Sequence, residues 1–185
     1  DKDGTAIKVT ADLSTIDVTK AGTYDVELMA EDGQTTTVKL TVKENKQTID
    51  GSDYTMYVGD KAPAVDSFKA SATDKDGTAI KVTADLSTAD LTKAGTYDIV
   101  LTATDGQTKT VKLTIKENKQ TNKGSDYTMY VGDKAPTVDR FKASATDKDG
   151  NAIKVTADLS TKEVTKAGTD DVELMAEDGK TTTDK

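Results

Sequence analysis

The side chains that could do chemistry in this chain are mainly carboxylates, and one group of them has the spacing of a calcium-binding loop. Asp147, Asp149 and Asn151 stand at the first, third and fifth positions of a short run, which is the spacing of oxygen ligands in known calcium loops. In the two earlier copies of this run the fifth residue is Thr5 or Thr78, and no glutamate follows at the twelfth position. The pattern favours a hairpin turn, and calcium binding is the alternative.

Residues for enzymatic chemistry are missing. The chain contains no histidine and no cysteine, so it lacks the commonest general base and any thiolate nucleophile or zinc ligand. No phosphate-binding loop, dinucleotide-binding glycine pattern, nucleophile elbow or zinc-protease helix occurs. We therefore assign no catalytic, cofactor-binding or metal-binding residues and expect a protein that is not an enzyme.

The many lysines and acidic residues suggest one further reaction, the formation of an internal isopeptide bond between a lysine and an amide or carboxylate side chain. Such a bond requires a lysine buried next to a buried partner. Lys81 and Lys112 fall on the polar face of their predicted strands, where side chains meet solvent. We expect no crosslink, and an intact mass without loss of ammonia or water would agree.

The whole chain is built on a repeat of 73 residues. Residues 1–73 and 74–146 are identical at 61 positions without a gap, and a third copy begins at Asp147. A period this regular is the sequence signature of a modular array. Near-identical copies favour reach or repeated display over a single active site.

Within the repeat, apolar residues alternate with polar ones, which predicts β-strands. The alternation is clearest over residues 96–104 and 107–116, and Asp105-Gly106 between them predicts a hairpin turn. Residues 86–93 are the one place where the sequence leaves room for a short helical turn. Three further strands are predicted over Tyr54–Val58, Phe68–Ala72 and Ile80–Ala84. The fold class is therefore all-β, with tandem antiparallel sandwich modules of about six to seven strands each.

Polar segments without alternation mark the module boundaries. Lys43–Thr48 and its copy Lys116–Thr121 are the predicted linkers. These linkers divide the chain into three predicted parts. Residues 1–48 are the C-terminal part of a first module, residues 49–121 are a complete module, and residues 122–185 are a third module that lacks its last strand. A copy of Val111–Lys116 is expected after Lys185, and the complete middle module is expected to be the most stable.

One local pattern is more specific than the rest. The run Thr-Lys-Ala-Gly-Thr-Tyr-Asp-Ile at Thr92–Ile99 resembles the tyrosine corner of immunoglobulin-like sandwiches, in which the hydroxyl caps upstream backbone. Together with Tyr57–Asp60, Ala72–Gly77 and Thr104–Gly106, it makes the chain resemble the tandem bacterial immunoglobulin-like domains of Gram-positive cell-surface proteins of the adhesin type. The resemblance implies a seven-strand-type sandwich, an extracellular position at the cell surface or wall, and a role as a spacer or in adhesion.

The third copy departs from this pattern. Asp170 stands where Tyr24 and Tyr97 stand in the other copies. A carboxylate at the edge of a core loses aromatic packing and carries a desolvation cost. We therefore expect the third module to be destabilised.

Charge and composition restrict the partners. The net charge is −8 and evenly spread, which predicts no nucleic-acid partner, and no apolar stretch is long enough for membrane insertion. The expected partners are neighbouring immunoglobulin-like modules. The alternative to a spacer is that each copy binds a host or self surface ligand weakly, so that avidity multiplies. Because the copies differ at the predicted outward positions Glu27, Met29 and Glu31, the spacer is favoured.

Overall fold

The computed structural model describes residues 1–184, and its regular structure is β-strand apart from two short 3-10 helices, Val65–Phe68 and Val138–Phe141. The all-β fold class is confirmed. The strands are β1 (Val9–Asp12), β2 (Gly22–Ala30), β3 (Thr35–Val42), β4 (Thr48–Asp50), β5 (Tyr54–Tyr57), β6 (Ser71–Thr73), β7 (Ala79–Ile80), β8 (Val82–Asp85), β9 (Gly95–Ala103), β10 (Thr108–Lys116), β11 (Thr121–Lys123), β12 (Ser144–Thr146), β13 (Ala152–Ile153), β14 (Val155–Asp158), β15 (Val172–Ala176) and β16 (Thr181–Asp184).

The chain divides into two compact units. The first comprises Asp1–Gly51, Lys69–Ala84 and Leu101–Lys109, and the second comprises Ser52–Phe68, Asp85–Val100 and Thr110–Lys185. For comparison along the sequence we call residues 1–48, 49–121 and 122–184 the first, middle and last segments. The module boundaries at residues 48 and 121 stay a prediction.

The first unit contains two three-stranded antiparallel sheets. One has the strand order β1-β2-β3 and the other β4-β6-β7. In the β1-β2 pair, Val9 lies opposite Ala30. The same register recurs between β14 and β15, where Val155 lies opposite Ala176, as the 73-residue period requires.

A four-stranded sheet has the order β5-β10-β9-β8, and one of its pairings was not predicted. Strands β5 and β10 run parallel, with Leu113 opposite Tyr54 and Lys116 opposite Tyr57. Alternation along a strand shows which face is buried but carries no information about the direction of a distant partner. The direction therefore could not be read from the sequence.

Two sheets of the second unit share one hydrophobic core. Their strand orders are β11-β12-β13 and β14-β15-β16. The buried side chains that form the core come from the 3-10 helix and from both sheets: Phe141, Ala145, Val155, Val172, Leu174 and Ala176. Facing sheets with a common apolar core are the arrangement of a β-sandwich.

Two local predictions are corrected by the structure. Phe68 was expected in a strand with Ala72, but it ends a 3-10 helix, and Lys69 at φ 50° turns the chain before β6 begins. Phe68 and Ala72 are both buried, so the sequence has the alternation of a strand although part of it forms a helix. Residues 86–93 form two separate turns instead of a helix, because the carboxylates of Asp85 and Asp90 each accept the backbone N–H two residues on.

Candidate functional site at the junction of the middle and last segments

The structure brings the turn that carries the candidate calcium-loop residues Asp147 and Asp149 against a loop to which the sequence assigned no site. The loop Tyr57–Asp60 of the middle segment meets the turn Asp147–Gly150 of the last segment, and both belong to the second unit. We call this contact the junction.

The turn is held by its own first residue. The Asp147 carboxylate accepts the backbone N–H groups of Asp149 and Asn151, each at 2.9 Å, and the Gly150 N–H reaches the Asp147 carbonyl at 3.0 Å. Hydrogen bonds to the carboxylate lower the pKa of Asp147, and the largest contribution comes from the backbone N–H of Asn151. The hairpin-turn interpretation of the Asp-Lys-Asp-Gly run is thus confirmed. Among residues 1–184, no three acidic side chains are grouped so as to hold a metal ion.

Tyr57 is the centre of the junction. Its hydroxyl donates a hydrogen bond of 2.7 Å to the carboxylate of Asp149. The Lys148 ammonium lies 2.9 Å from the Asp60 carboxylate, and the Lys116 ammonium lies 3.6 Å from Asp149. Each ion pair is partly exposed and therefore weak by itself, but the two share one tyrosine.

Both lysines also lie over the aromatic ring. The ammonium groups of Lys116 and Lys148 are 5.7 and 5.5 Å from the ring centroid of Tyr57. At this distance a cation is attracted by the electron-rich face of the ring. Tyr57 therefore joins two cations through its face and one anion through its hydroxyl.

The predicted linker is fixed to the same turn. The Lys119 N–H bonds the Lys148 carbonyl at 3.0 Å, and the Thr146 hydroxyl bonds the Lys119 carbonyl at 2.7 Å. A Cβ on Gly150, whose φ is +87°, would lie 3.1 Å from Cδ of Lys119. Glycine is required here because of both the backbone conformation and the close approach of the linker.

The first unit contains the equivalent linker contacts 73 residues earlier. The Lys46 N–H bonds the Lys75 carbonyl at 3.0 Å, the Thr73 hydroxyl bonds the Lys46 carbonyl at 2.7 Å, and Lys43 lies 3.5 Å from Asp76. The two linkers are therefore bound to their turns in the same way.

The tyrosine-corner expectation is confirmed where the tyrosine is present. The hydroxyl of Tyr24 donates to the Lys20 carbonyl at 3.0 Å, and that of Tyr97 donates to the Lys93 carbonyl at 3.4 Å. These contacts close the turn that precedes β2 and β9.

Titration defines the pH range of the junction. Because the Tyr57 hydroxyl donates to Asp149, is partly shielded from water and faces nearby carboxylates, its pKa is raised above the ordinary 10.0. The stability it contributes is complete below pH 10 and is lost as the pH rises through the raised pKa. The Tyr57 amide and then Lys148 lower the pKa of Asp60 below the ordinary 3.8. That contribution is complete above pH 3.8 and is lost as the pH falls through the lowered pKa, so the junction is intact from about pH 4 to about pH 10.

We expect Asp149→Asn to move the titration midpoint of Tyr57 back towards 10, because a neutral amide no longer disfavours the phenolate. The measurement is an NMR titration of the tyrosine ring carbons. Asp76→Asn, at the equivalent position of the earlier turn, is the matched control and should leave the Tyr57 midpoint unchanged. A Tyr57 midpoint that ignores the Asp149 substitution would contradict the hydrogen bond.

Comparisons with known proteins add little to this geometry. No family model matches the chain, and no curated protein matches it. One similar solved structure is that of the M60 catalytic domain with the CBM51-1 and CBM51-2 domains of ZmpB from Clostridium perfringens, with 15% identity and a TM-score of 0.28 over 80% of this chain. The chain spans 19% of the length of that structure. In residues 1–184, no helix is both long and apolar enough to cross a membrane.

Proposed function

We propose that the chain is a non-enzymatic spacer made of repeated immunoglobulin-like modules, and that it forms part of a bacterial cell-surface protein of the adhesin type. The observation that carries the proposal is the repeated linker contact. A spacer transmits length only if successive modules are held in a defined way. The bond of Lys119 to the turn at Lys148 and the bond of Lys46 to the turn at Lys75 support the proposal, because the same linker contact occurs twice, 73 residues apart.

The exposed strand faces support a spacer over a binding module. The side chains at positions 27, 29 and 31 and at their copies 100, 102 and 104 are exposed. All three positions differ between the first and middle segments, as in Glu27 against Val100 and Met29 against Thr102, whereas the last segment repeats the residues of the first at positions 173, 175 and 177. A ligand bound by every copy requires a shared surface, and this face does not supply one.

Spin labels test whether the junction fixes the geometry of the second unit. Val100 and Glu173 are exposed, occupy equivalent positions of β9 and β15, and belong to the second unit. Because the chain has no cysteine, labels at Val100→Cys and Glu173→Cys are the only ones present. We expect a narrow distribution of label distances in pulsed electron resonance, and a distribution at least about twice as broad when Tyr57→Ala removes the ring and its two cation contacts.

Tyr130→Ala is the matched control for this experiment. Tyr130 occupies the same loop position in the last segment, and its side chain is 81% exposed. This substitution should leave the distribution narrow. A broad distribution in the parent chain would argue against a spacer with defined junctions.

A further inference from the structure

Two strands near the ends of the middle segment lie side by side and run in the same direction. Strand β5 (Tyr54–Tyr57) comes near the start of the segment, and β10 (Thr108–Lys116) is its last strand. They pair in parallel, with Lys116 opposite Tyr57. Tension along the chain therefore pulls the two strands past each other and loads the hydrogen bonds between them together.

Hydrogen bonds and buried side chains hold this parallel pair along its length. Near its start the Lys112 N–H donates to the Asp53 carboxylate at 2.8 Å, and at its end the Val58 N–H donates to the Lys116 carbonyl at 2.8 Å. The apolar side chains of the pair are at most 2% exposed: Met56, Leu113 and Ile115. Sliding the strands by one residue would break the end bonds and turn these side chains away from the core.

One carboxylate of the last segment contacts both strands at the same level. Asp149 accepts the hydrogen bond of the Tyr57 hydroxyl at 2.7 Å and lies 3.6 Å from the Lys116 ammonium. Tyr57 and Lys116 are direct partners in the register of the pair. Asp149 therefore bridges β5 and β10 at the end where the chain leaves β10.

Lys148 holds the same end through a second set of contacts. Its ammonium lies 2.9 Å from the Asp60 carboxylate and 5.5 Å from the ring centroid of Tyr57. The Asp60 carboxylate also accepts the Tyr57 N–H at 2.9 Å, so the lysine and the backbone of β5 share one anion. Each contact is partly exposed and weak by itself, but contacts within one network are coupled.

We propose that the turn Asp147–Gly150 is a latch, which stabilises the parallel pair of the preceding segment. If β5 and β10 separate at Tyr57 and Lys116, Asp149 can keep only one of its two partners. Opening the pair therefore also breaks the latch, and the middle segment is more stable when its successor is docked. Stabilisation by the nearest neighbour is typical of repeat arrays.

The latch does not rest on the proposed spacer function. It concerns the stability of one strand pair, whereas the spacer concerns the direction and reach of the chain. Loss of the latch with an unchanged distribution of spin-label distances would leave the spacer in place, and a broad distribution with an intact latch would do the reverse.

Amide hydrogen exchange followed by NMR on the whole chain tests the latch without load. Asp149→Ala should lower the protection of residues 55–58 and 113–116 by about fivefold or more, which is the lower end of typical couplings between sites. Asp76→Ala, at the equivalent position of the earlier turn, is the matched control and should change this protection by less than about twofold. The Asn151 amide should stay protected, because the Asp147 carboxylate accepts its hydrogen bond.

A background without the two partners of Asp149 separates the latch from a general effect of the substitution. Tyr57→Phe with Lys116→Met removes the hydroxyl and the ammonium but keeps the ring and most of the aliphatic stem. Adding Asp149→Ala to this background should change the protection by less than about twofold. A loss of about fivefold in this background, or no loss in the parent chain, would overturn the proposal.

Pulling on the pair itself gives a second measurement. Ser52 and Glu117 are exposed, flank β5 and β10, and belong to the second unit. Because the chain has no cysteine, Ser52→Cys and Glu117→Cys provide the only attachment points for the handles of an optical trap. Forced unfolding reports the unfolding rate, which at constant force should be about fivefold higher or more with Asp149→Ala than with Asp76→Ala. Equal rates would show that the turn does not hold the pair, and would also overturn the proposal.

Discussion

Replacing Tyr97 with aspartate, the residue present at position 170, should destabilise the end of the middle segment that contains β9 by about 3 kcal/mol. The half-buried ring lies against Gly95, where an added Cβ would be 3.5 Å from the hydroxyl, and the hydroxyl donates to the Lys93 carbonyl. Aspartate removes this packing and the hydroxyl bond; since Asp170 at the equivalent position of the last segment is exposed, the lost ring contacts account for most of the cost. A loss of this size is a large share of the 5–15 kcal/mol that typically stabilises a domain.

Hydrogen exchange read by mass spectrometry is the appropriate measurement, because a chain of several units need not unfold in one transition. Protection of residues 95–100 should fall by about two orders of magnitude in the Tyr97→Asp chain. Tyr97→Phe keeps the ring and loses only the hydroxyl bond, so its cost should be about 1 kcal/mol. Unchanged protection in the aspartate variant would show that the tyrosine corner contributes nothing to stability.

The reciprocal change, Asp170→Tyr, should stabilise the last segment. Strands β2 and β9 begin at the glycine two residues before the tyrosine, whereas β15 begins only at Val172. We expect the variant to gain protection between residues 168 and 172. Asp171→Tyr is the control, because the neighbouring side chain of an extended chain points to the opposite face.

Strand positions could be predicted because they follow from side-chain chemistry along the chain. The expected strands over 96–104 and 107–116 correspond to β9 (Gly95–Ala103) and β10 (Thr108–Lys116). Their buried residues are the ones that the alternation placed inward, each less than 4% exposed: Ile99, Leu101, Ala103, Val111, Leu113 and Ile115. The outward placement of Glu27, Met29 and Glu31 is also confirmed, since all three are exposed.

The junction could not be predicted, because its contacts join residues far apart in the sequence. Tyr57 and Asp149 are separated by 92 positions, and no local pattern specifies that pairing. The one available signal was the identical Asp-Lys-Asp-Gly run in every copy, which hairpin geometry explains for the aspartate and glycine. The structure adds a second reason for the middle residues, since Lys148 and Asp149 contact the Tyr57 loop.

Leu113 and Leu40 occupy equivalent positions of β10 and β3 but have different surroundings. Replacing each with alanine therefore measures how much the surroundings contribute to the stability that the same residue provides. Leu113 is fully buried and lies opposite Tyr54 in the parallel pair, whereas Leu40 is half-buried and lies opposite Tyr24 in β2. Leu113→Ala should cost about 3–4 kcal/mol, since buried leucines lose both transfer energy and contacts around the new cavity.

Leu40→Ala should cost about 1 kcal/mol or less, because a half-buried side chain has less apolar surface to lose and leaves no closed cavity. Urea unfolding with exchange readout over residues 111–116 and 38–42 measures both values on one chain. The ratio of the two losses in unfolding free energy shows whether the leucine stabilises the protein mainly where β5 pairs with its strand, as it does for Leu113. Equal costs would show that the parallel pairing of β5 with β10 does not create the buried environment of Leu113.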